Sequence, residues 1–143
     1  ESVVEDSGYA HLLKTWLVLD NHDTPRLNHL LPQPWQVEMA RVLQFSLPGS
    51  VLLYYGSEVD MQGGDDPQNR APMDWKRVQA NHPMLQLHRK LLKLRQSEPA
   101  LRWGDYRKLH TRELMAFVRK TLSPRETIVV VCNPTDHPAE EFL

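Results

Sequence analysis

The run Trp16-Leu17-Val18-Leu19 stops abruptly at Asp20-Asn21-His22-Asp23, and this junction narrows the folds open to the chain more than any other feature. Four consecutive apolar residues describe a strand buried on both faces, as in a parallel sheet. The polar burst that follows puts titratable groups at the strand's C-terminal end, where α/β barrels keep their chemistry. The pattern then recurs. After a loop from Leu27 to Pro34, the segment Trp35 to Ser46 mixes Val37, Ala40, Val42 and Leu43 with Gln36, Glu38, Arg41 and Gln44, which reads as a helix closed by Pro48-Gly49. Val51-Leu52-Leu53-Tyr54-Tyr55 is a second buried strand, again ending on a polar group, Gly56-Ser57-Glu58.

A long polar loop runs from Asp60 to Ala80, and loops of that length inside compact domains are usually functional or disordered. Met84, Leu87, Leu91 and Leu94 follow at helical spacing, widened by Leu85 and Leu92 into a core stripe. Pro83 suits the first turn of that helix, and Pro99 stops it near Ser97. Beyond it the character changes. Leu114 to Thr121 and Thr127 to Asn133 are β-rich runs joined by a hairpin signature, Leu122-Ser123-Pro124-Arg125-Glu126. Tyr106 to His110 reads as a preceding strand and Glu140 to Leu143 as the start of another. The order is strand, helix, strand, helix, then consecutive strands: an α/β part over residues 1–97 and an antiparallel part over residues 98–143.

Composition excludes several classes. The formal net charge of −1 over 143 residues gives no electrostatic reason for a nucleic-acid or anionic-membrane partner. No apolar stretch approaches a membrane span. The single cysteine, Cys132, follows Ile128-Val129-Val130-Val131 and is expected to be a buried, reduced thiol. Glu1 to Asp6 has neither a basic nor an apolar region, so it does not read as a signal peptide. The lack of an initiator Met points to a longer parent. The seven histidines show no metal-ligand spacing, and His82, His88 and His110 are read as surface or helix residues.

Three motifs carry the functional reading. Leu19-Asp20-Asn21-His22-Asp23-Thr24-Pro25-Arg26 resembles the segment at the end of the seventh barrel strand in the α-amylase family. Pro48-Gly49-Ser50-Val51-Leu52-Leu53-Tyr54-Tyr55-Gly56-Ser57-Glu58 resembles that family's eighth strand. Gly63-Gly64-Asp65-Asp66-Pro67-Gln68-Asn69-Arg70-Ala71-Pro72-Met73-Asp74-Trp75 resembles the loop after it. All three occur in the family's order, and the resemblance covers nearly the whole chain. It is strongest to cyclomaltodextrinases, cyclodextrin glucanotransferases, trehalose synthases and related α-glucosidases. The fold it implies is the C-terminal portion of a (β/α)8 TIM barrel, strands 7 and 8 with their helices, followed by part of an antiparallel β-sandwich.

The implied chemistry is retaining cleavage or transfer of an α-glucosidic bond through an oxocarbenium-like transition state. Family resemblance assigns Asp23 to the carboxylate that grips the 2- and 3-hydroxyls of the scissile sugar, and His22 to a partner bond on the same sugar. On residue types alone a strand-terminating turn explains Asn21-His22-Asp23. The two flanking motifs turn the reading toward catalysis. Asp66 and Arg70 are assigned to glucose units further along the donor chain, against the plainer reading of a loop ion pair. Asn21 and Arg26 join the substrate-side candidates, although Arg26 is read first as a residue that holds the loop. Glu58 is expected to bond backbone or a neighbouring strand, and Trp75 to close its loop onto the barrel in preference to stacking on sugar.

The family's nucleophilic Asp and acid/base Glu lie on earlier strands, and no residue here matches either motif. The resemblance therefore implies part of an enzyme, inactive alone. Its partners would be an α-linked glucose oligosaccharide or polysaccharide and the missing N-terminal part of its own barrel, with association through exposed sheet edges. No cofactor is expected, apart from a structural calcium that the parent could carry elsewhere. A cytoplasmic setting is expected, with a secreted or periplasmic parent as the alternative. The competing function is a non-catalytic carbohydrate-binding or structural homologue of the same superfamily.

Overall fold

The computed structural model describes residues 8–142; the leader question at Glu1 to Asp6 lies outside the described residues. In order the elements are α1 (Tyr9–Leu12), β1 (Trp16–Val18), α2 (Leu27–Leu30), α3 (Pro34–Ser46), β2 (Ser50–Leu52), α4 (Pro83–Ser97), α5 (Pro99–Trp103), β3 (Asp105–Lys108), β4 (Met115–Lys120) and β5 (Thr127–Cys132). The loop between β2 and α4 contains three short 3-10 turns, Ser57–Val59, Gln68–Arg70 and Trp75–Arg77. Both long helices open on a proline, Pro34 and Pro83. The missing N–H costs nothing there, because first-turn amides have no intrahelical partner. Helix α3 ends one residue before Leu47, which precedes Pro48 and is therefore pushed out of the helical region.

The described residues divide into two compact units: residues 16–44 with 51–93, and residues 8–15, 45–50 and 94–142. In the first, β1 and β2 pair in a two-stranded sheet. Gln44 on α3 spends its amide on both strands, donating to Leu17 O at 2.7 Å and Leu52 O at 2.9 Å. The core is the cluster of Leu27, Val37 and Met84, with Leu19, Leu31, Ala40 and Leu87 packed on it. The expectation that both strands are buried on both faces does not hold: Trp16 is 72% exposed, and Val18, Leu53 and Tyr55 are exposed as well. Burial on both faces needs covering layers, and among the described residues this sheet has only two strands. The α4 stripe is also narrower than its periodicity predicts. Met84 and Leu91 are buried and Leu87 packs against the core, whereas Leu92 and Leu94 are exposed. His88, read as a surface or helix residue, is helical but buried, with Nδ1 2.9 Å from Met84 O.

The second unit is built on a three-stranded antiparallel sheet, order β3-β4-β5. Its register runs from Asp105 opposite Lys120 to Lys108 opposite Phe117, and from Met115 opposite Cys132 to Lys120 opposite Thr127. Ala100 and Leu101 of α5 are buried, as are Ala116, Phe117, Val130 and the free thiol of Cys132. Tyr106 packs on Phe117 with ring centroids 5.2 Å apart. Two arginines, Arg95 half-buried and Arg119 fully buried, serve backbone carbonyls. Arg95 donates to Phe45 O at 2.6 Å, to Leu47 O and to Gly49 O; Arg119 donates to Ser46 O and Gly104 O. Together they satisfy carbonyls at the C-terminal end of α3, where four are left open by the helix itself. Glu140 to Phe142 form no strand. Instead the Glu141 carboxylate accepts the backbone N–H groups of Arg112, Glu113 and Leu114, so a side chain holds this segment rather than a strand ladder. No helix among the described residues is long and apolar enough to cross a membrane.

Candidate active site

All the polar candidates lie in the unit built on β1 and β2, and the site starts from its most buried carboxylate. Asp20, immediately after β1, is 2% exposed. Its oxygens accept Leu27 N at 3.1 Å, Arg41 Nη2 at 3.3 Å and Ser57 Oγ at 3.1 Å. One carboxylate thus joins the strand end, the start of α2, the middle of α3 and the turn after β2. The bond to Leu27 N also closes the base of the loop that carries residues 21–26.

Inside that loop, Asn21 Oδ1 accepts the Asp23 N–H at 2.8 Å, and the Asn21 N–H donates to Thr24 Oγ1 at 3.2 Å. These are the local side-chain turns that Asn and Thr favour. They turn His22 and Asp23 outward: their side chains are 65% and 72% exposed, with His22 Nε2 3.2 Å from Asp23 Oδ2. Three residues apart in sequence, Asp20 and Asp23 have opposite surroundings. Asp20 has its acceptor capacity filled by protein donors, while Asp23 keeps an open carboxylate able to accept hydroxyl donors.

Asp66 and Arg70 form a two-pronged pair, with Arg70 Nε 2.9 Å from Asp66 Oδ1 and Nη2 against Oδ2. Hydrogen bonding from Arg70 holds the Asp66 carboxyl below its usual range, and the same bond raises the guanidinium, with Asp23 and Tyr54 adding smaller electrostatic contributions. Arg70 therefore feels the charge of Asp23. Between them Asn69, 1% exposed, donates its Nδ2 to His22 O at 2.8 Å and Thr24 O at 3.1 Å. The turn packs tightly on Gly63, where an added Cβ would sit 2.6 Å from Gln68 O and 2.9 Å from Asn69 Cα. Only glycine fits there.

Arg26 is fully buried, at 0% exposure. It donates Nη1 to Tyr55 O at 2.6 Å, and its guanidinium carbon lies 4.6 and 4.7 Å from the Tyr54 and Tyr55 ring centroids. Its backbone N–H donates to Gly63 O at 2.9 Å, tying the first loop to the second. Glu58 is half-buried in the Ser57–Val59 turn. Trp75 does not close its loop, being 75% exposed. Arg77 does that work by donating to Val59 O and Asp60 O, while Asp74 caps the turn through the Lys76 N–H.

The arrangement sets an open His–Asp pair beside an open Asp–Arg fork on a rigid base. It suits a polyhydroxylated ligand that offers vicinal hydroxyls to both. Sequence reasoning named His22, Asp23, Asp66 and Arg70, together with Asn21 and the buried Arg26, and missed Asp20, Arg41, Ser57 and Asn69. Asp20, Ser57 and Asn69 stood inside quoted motifs. What marks them is burial and long-range bonding, which residue type and spacing do not report.

The α-amylase catalytic-domain family matches residues 6–104. Neopullulanase 2 of Thermoactinomyces vulgaris is 34% identical over 82% of this chain and 21% of its own length. A cyclomaltodextrin glucanotransferase of Geobacillus stearothermophilus is 35% identical over 69% of this chain and 14% of its own length. Among solved structures, the acarbose-soaked debranching enzyme of Nostoc punctiforme superposes with a TM-score of 0.81 at 30% identity, covering 92% of this chain and 27% of that one. The chain thus spans about a fifth of the length of the first curated relative, and its likeness fits part of a catalytic barrel.

Proposed function

The chain belongs to the α-amylase catalytic-domain family, and from that membership we propose that it is part of a retaining α-glucan-active glycoside hydrolase or transglycosylase. Its substrates would be starch, maltooligosaccharides or cyclodextrins. Cleaving an α-glucosidic bond builds positive charge on the sugar ring as the bond to the leaving oxygen breaks. An ionised Asp23 gripping the 2- and 3-hydroxyls gains most at that moment, because its negative charge faces a ring turning cationic. His22 adds a bond to the same sugar, and Asp66 with Arg70 holds glucose units further along the donor chain. Asn21, which fixes the Asp23 turn, and Arg26, which holds Tyr54 and Tyr55, support these contacts from behind.

In this reading β1 and β2 are strands 7 and 8 of the barrel. The exposed Trp16, Val18, Leu53 and Tyr55 are covered by its earlier strands, which also contribute the nucleophilic carboxylate and the acid/base. Residues 1–97 are barrel, and 98–143 begin a C-terminal β domain. The observation that carries the reading is the direct link from the Asp66–Arg70 loop to the backbone around Asp23, through Asn69.

The test is turnover by the longer polypeptide on maltohexaose and β-cyclodextrin, with the anomeric product followed by NMR. Hydrolysis or transfer with retained configuration is expected from the longer protein, and none from the 143-residue chain alone. Binding without turnover by the longer protein would instead identify a non-catalytic homologue.

A further inference from the structure

Asn69 holds the backbone carbonyls of the two residues that flank Asp23, His22 and Thr24. Its Nδ2 carries two protons and spends them on His22 O at 2.8 Å and Thr24 O at 3.1 Å. It sits in the Gln68–Arg70 turn, adjacent to Arg70 and three residues after Asp66. The turn has little slack. Asn69 is 1% exposed, Gly63 leaves no room for a Cβ against Gln68 O, and Gly63 O is itself bonded by the Arg26 N–H at the far end of the Asp23 loop. Moving the Asp66–Arg70 fork therefore pulls on the backbone on either side of Asp23.

We propose that Asn69 is a positioning residue that couples the two sugar contacts, so that engagement of a glucose unit by Asp66 and Arg70 is transmitted to the orientation of the Asp23 carboxylate. This rests on the α-glucan reading given above. Energy from a remote part of a substrate raises kcat only when it is spent at the reacting centre. A rigid two-pronged bond from one contact to the backbone of the other is a route for that. A plain structural staple would hold the loop in place without making the rate depend on substrate length.

The experiment compares the longer polypeptide with its Asn69→Ala, Arg70→Ala and doubly substituted forms, on maltotriose and maltohexaose. The unsubstituted protein should turn over maltohexaose with a higher kcat than maltotriose. Asn69→Ala should lower kcat on maltohexaose by about tenfold and remove that length advantage, with KM changed by no more than about threefold. Arg70→Ala should remove the same advantage, and adding it to Asn69→Ala should cost nothing further in kcat. Effects that multiply independently, or a change in KM alone, would overturn the coupling. Should Asn69→Ala fail to fold, as judged by circular dichroism, Asn69→Ser carries the same comparison.

A hydrogen-exchange arm on the 143-residue chain needs no turnover, so it separates failure of the coupling from failure of the α-glucan reading. Asn69→Ala should speed exchange of the Asp23 amide by roughly tenfold while leaving Leu27, held by Asp20, unchanged. An unchanged Asp23 amide would overturn the mechanical link.

Discussion

Arg41 and Asp20 form an ion pair inside the protein, with Nη2 3.3 Å from Oδ1 and neither side chain more than 1% exposed. Removing one partner of such a pair leaves a buried charge uncompensated, which typically costs about 3–5 kcal/mol. Arg41→Met should destabilise the protein by that order in urea denaturation. Asp20→Asn combined with Arg41→Met should cost less than the single change, because no charge is stranded. A loss under about 1 kcal/mol for Arg41→Met would remove Asp20 from its place as the base of the loop.

Asp23→Asn in the longer polypeptide should lower kcat on the order of 100-fold with little change in KM, since the amide keeps the shape and loses the charge. Arg70→Ala acts away from the reacting centre, so it should change KM or the product pattern more than the rate on short substrates. Steady-state kinetics with a short and a long maltooligosaccharide decide it. A near-normal kcat for Asp23→Asn alongside an abolished one for Arg70→Ala would reverse the roles.

Arg70 holds the folded pKa of Asp66 below its ordinary value of 3.8. A depressed carboxyl contributes stability that is present above the unfolded pKa and lost as pH falls through the folded one. The fork should therefore persist through neutral and mildly acidic solution and open only below the ordinary carboxylate range. A carboxyl-carbon NMR titration should show Asp66 titrating low in the unsubstituted chain and moving up toward 3.8 in Arg70→Ala. No upward movement would mean that Arg70 is not the cause.

Burial lowers the folded pKa of His88 from the ordinary 6.5, against a smaller upward pull from the Met84 carbonyl. The unfolded chain then takes up a proton more readily, so this contribution is complete above pH 6.5 and is lost as pH falls from there through the folded pKa. Denaturation midpoints measured across that window should fall with acid, and His88→Gln should flatten the slope. An unaltered slope would assign the acid sensitivity to other groups.

The alternation of strands and helices was legible because two apolar runs end on polar clusters and one helix shows clear periodicity. The exposed half of the candidate site was legible for a related reason: His22, Asp23, Asp66 and Arg70 are polar residues concentrated where the chain leaves regular structure. Exposure was not. Trp16 and Leu53 read as buried, since an apolar run assumes covering layers that the sequence does not itself supply. The stripe on α4 overreached to Leu92 and Leu94 because helical spacing sets direction around the axis without saying what lies opposite. The segment at Glu140 was misread because a carboxylate held by three backbone amides leaves no alternation to detect.

The two arginines that serve the carbonyls at the end of α3, Arg95 and Arg119, bear on how this sequence could be recombined. Ser46 lies in the part read as barrel, yet its carbonyl is served by Arg119 from β4, in the part read as a separate β domain. A crossover near Ser97 that grafted a foreign β domain would keep Arg95 and discard Arg119, and with it the Arg119 bond to the Ser46 carbonyl. Chimeras that tolerate the exchange would need an equivalent donor at the position of Arg119 in β4, so the segment that must travel together extends past the apparent border, through β4.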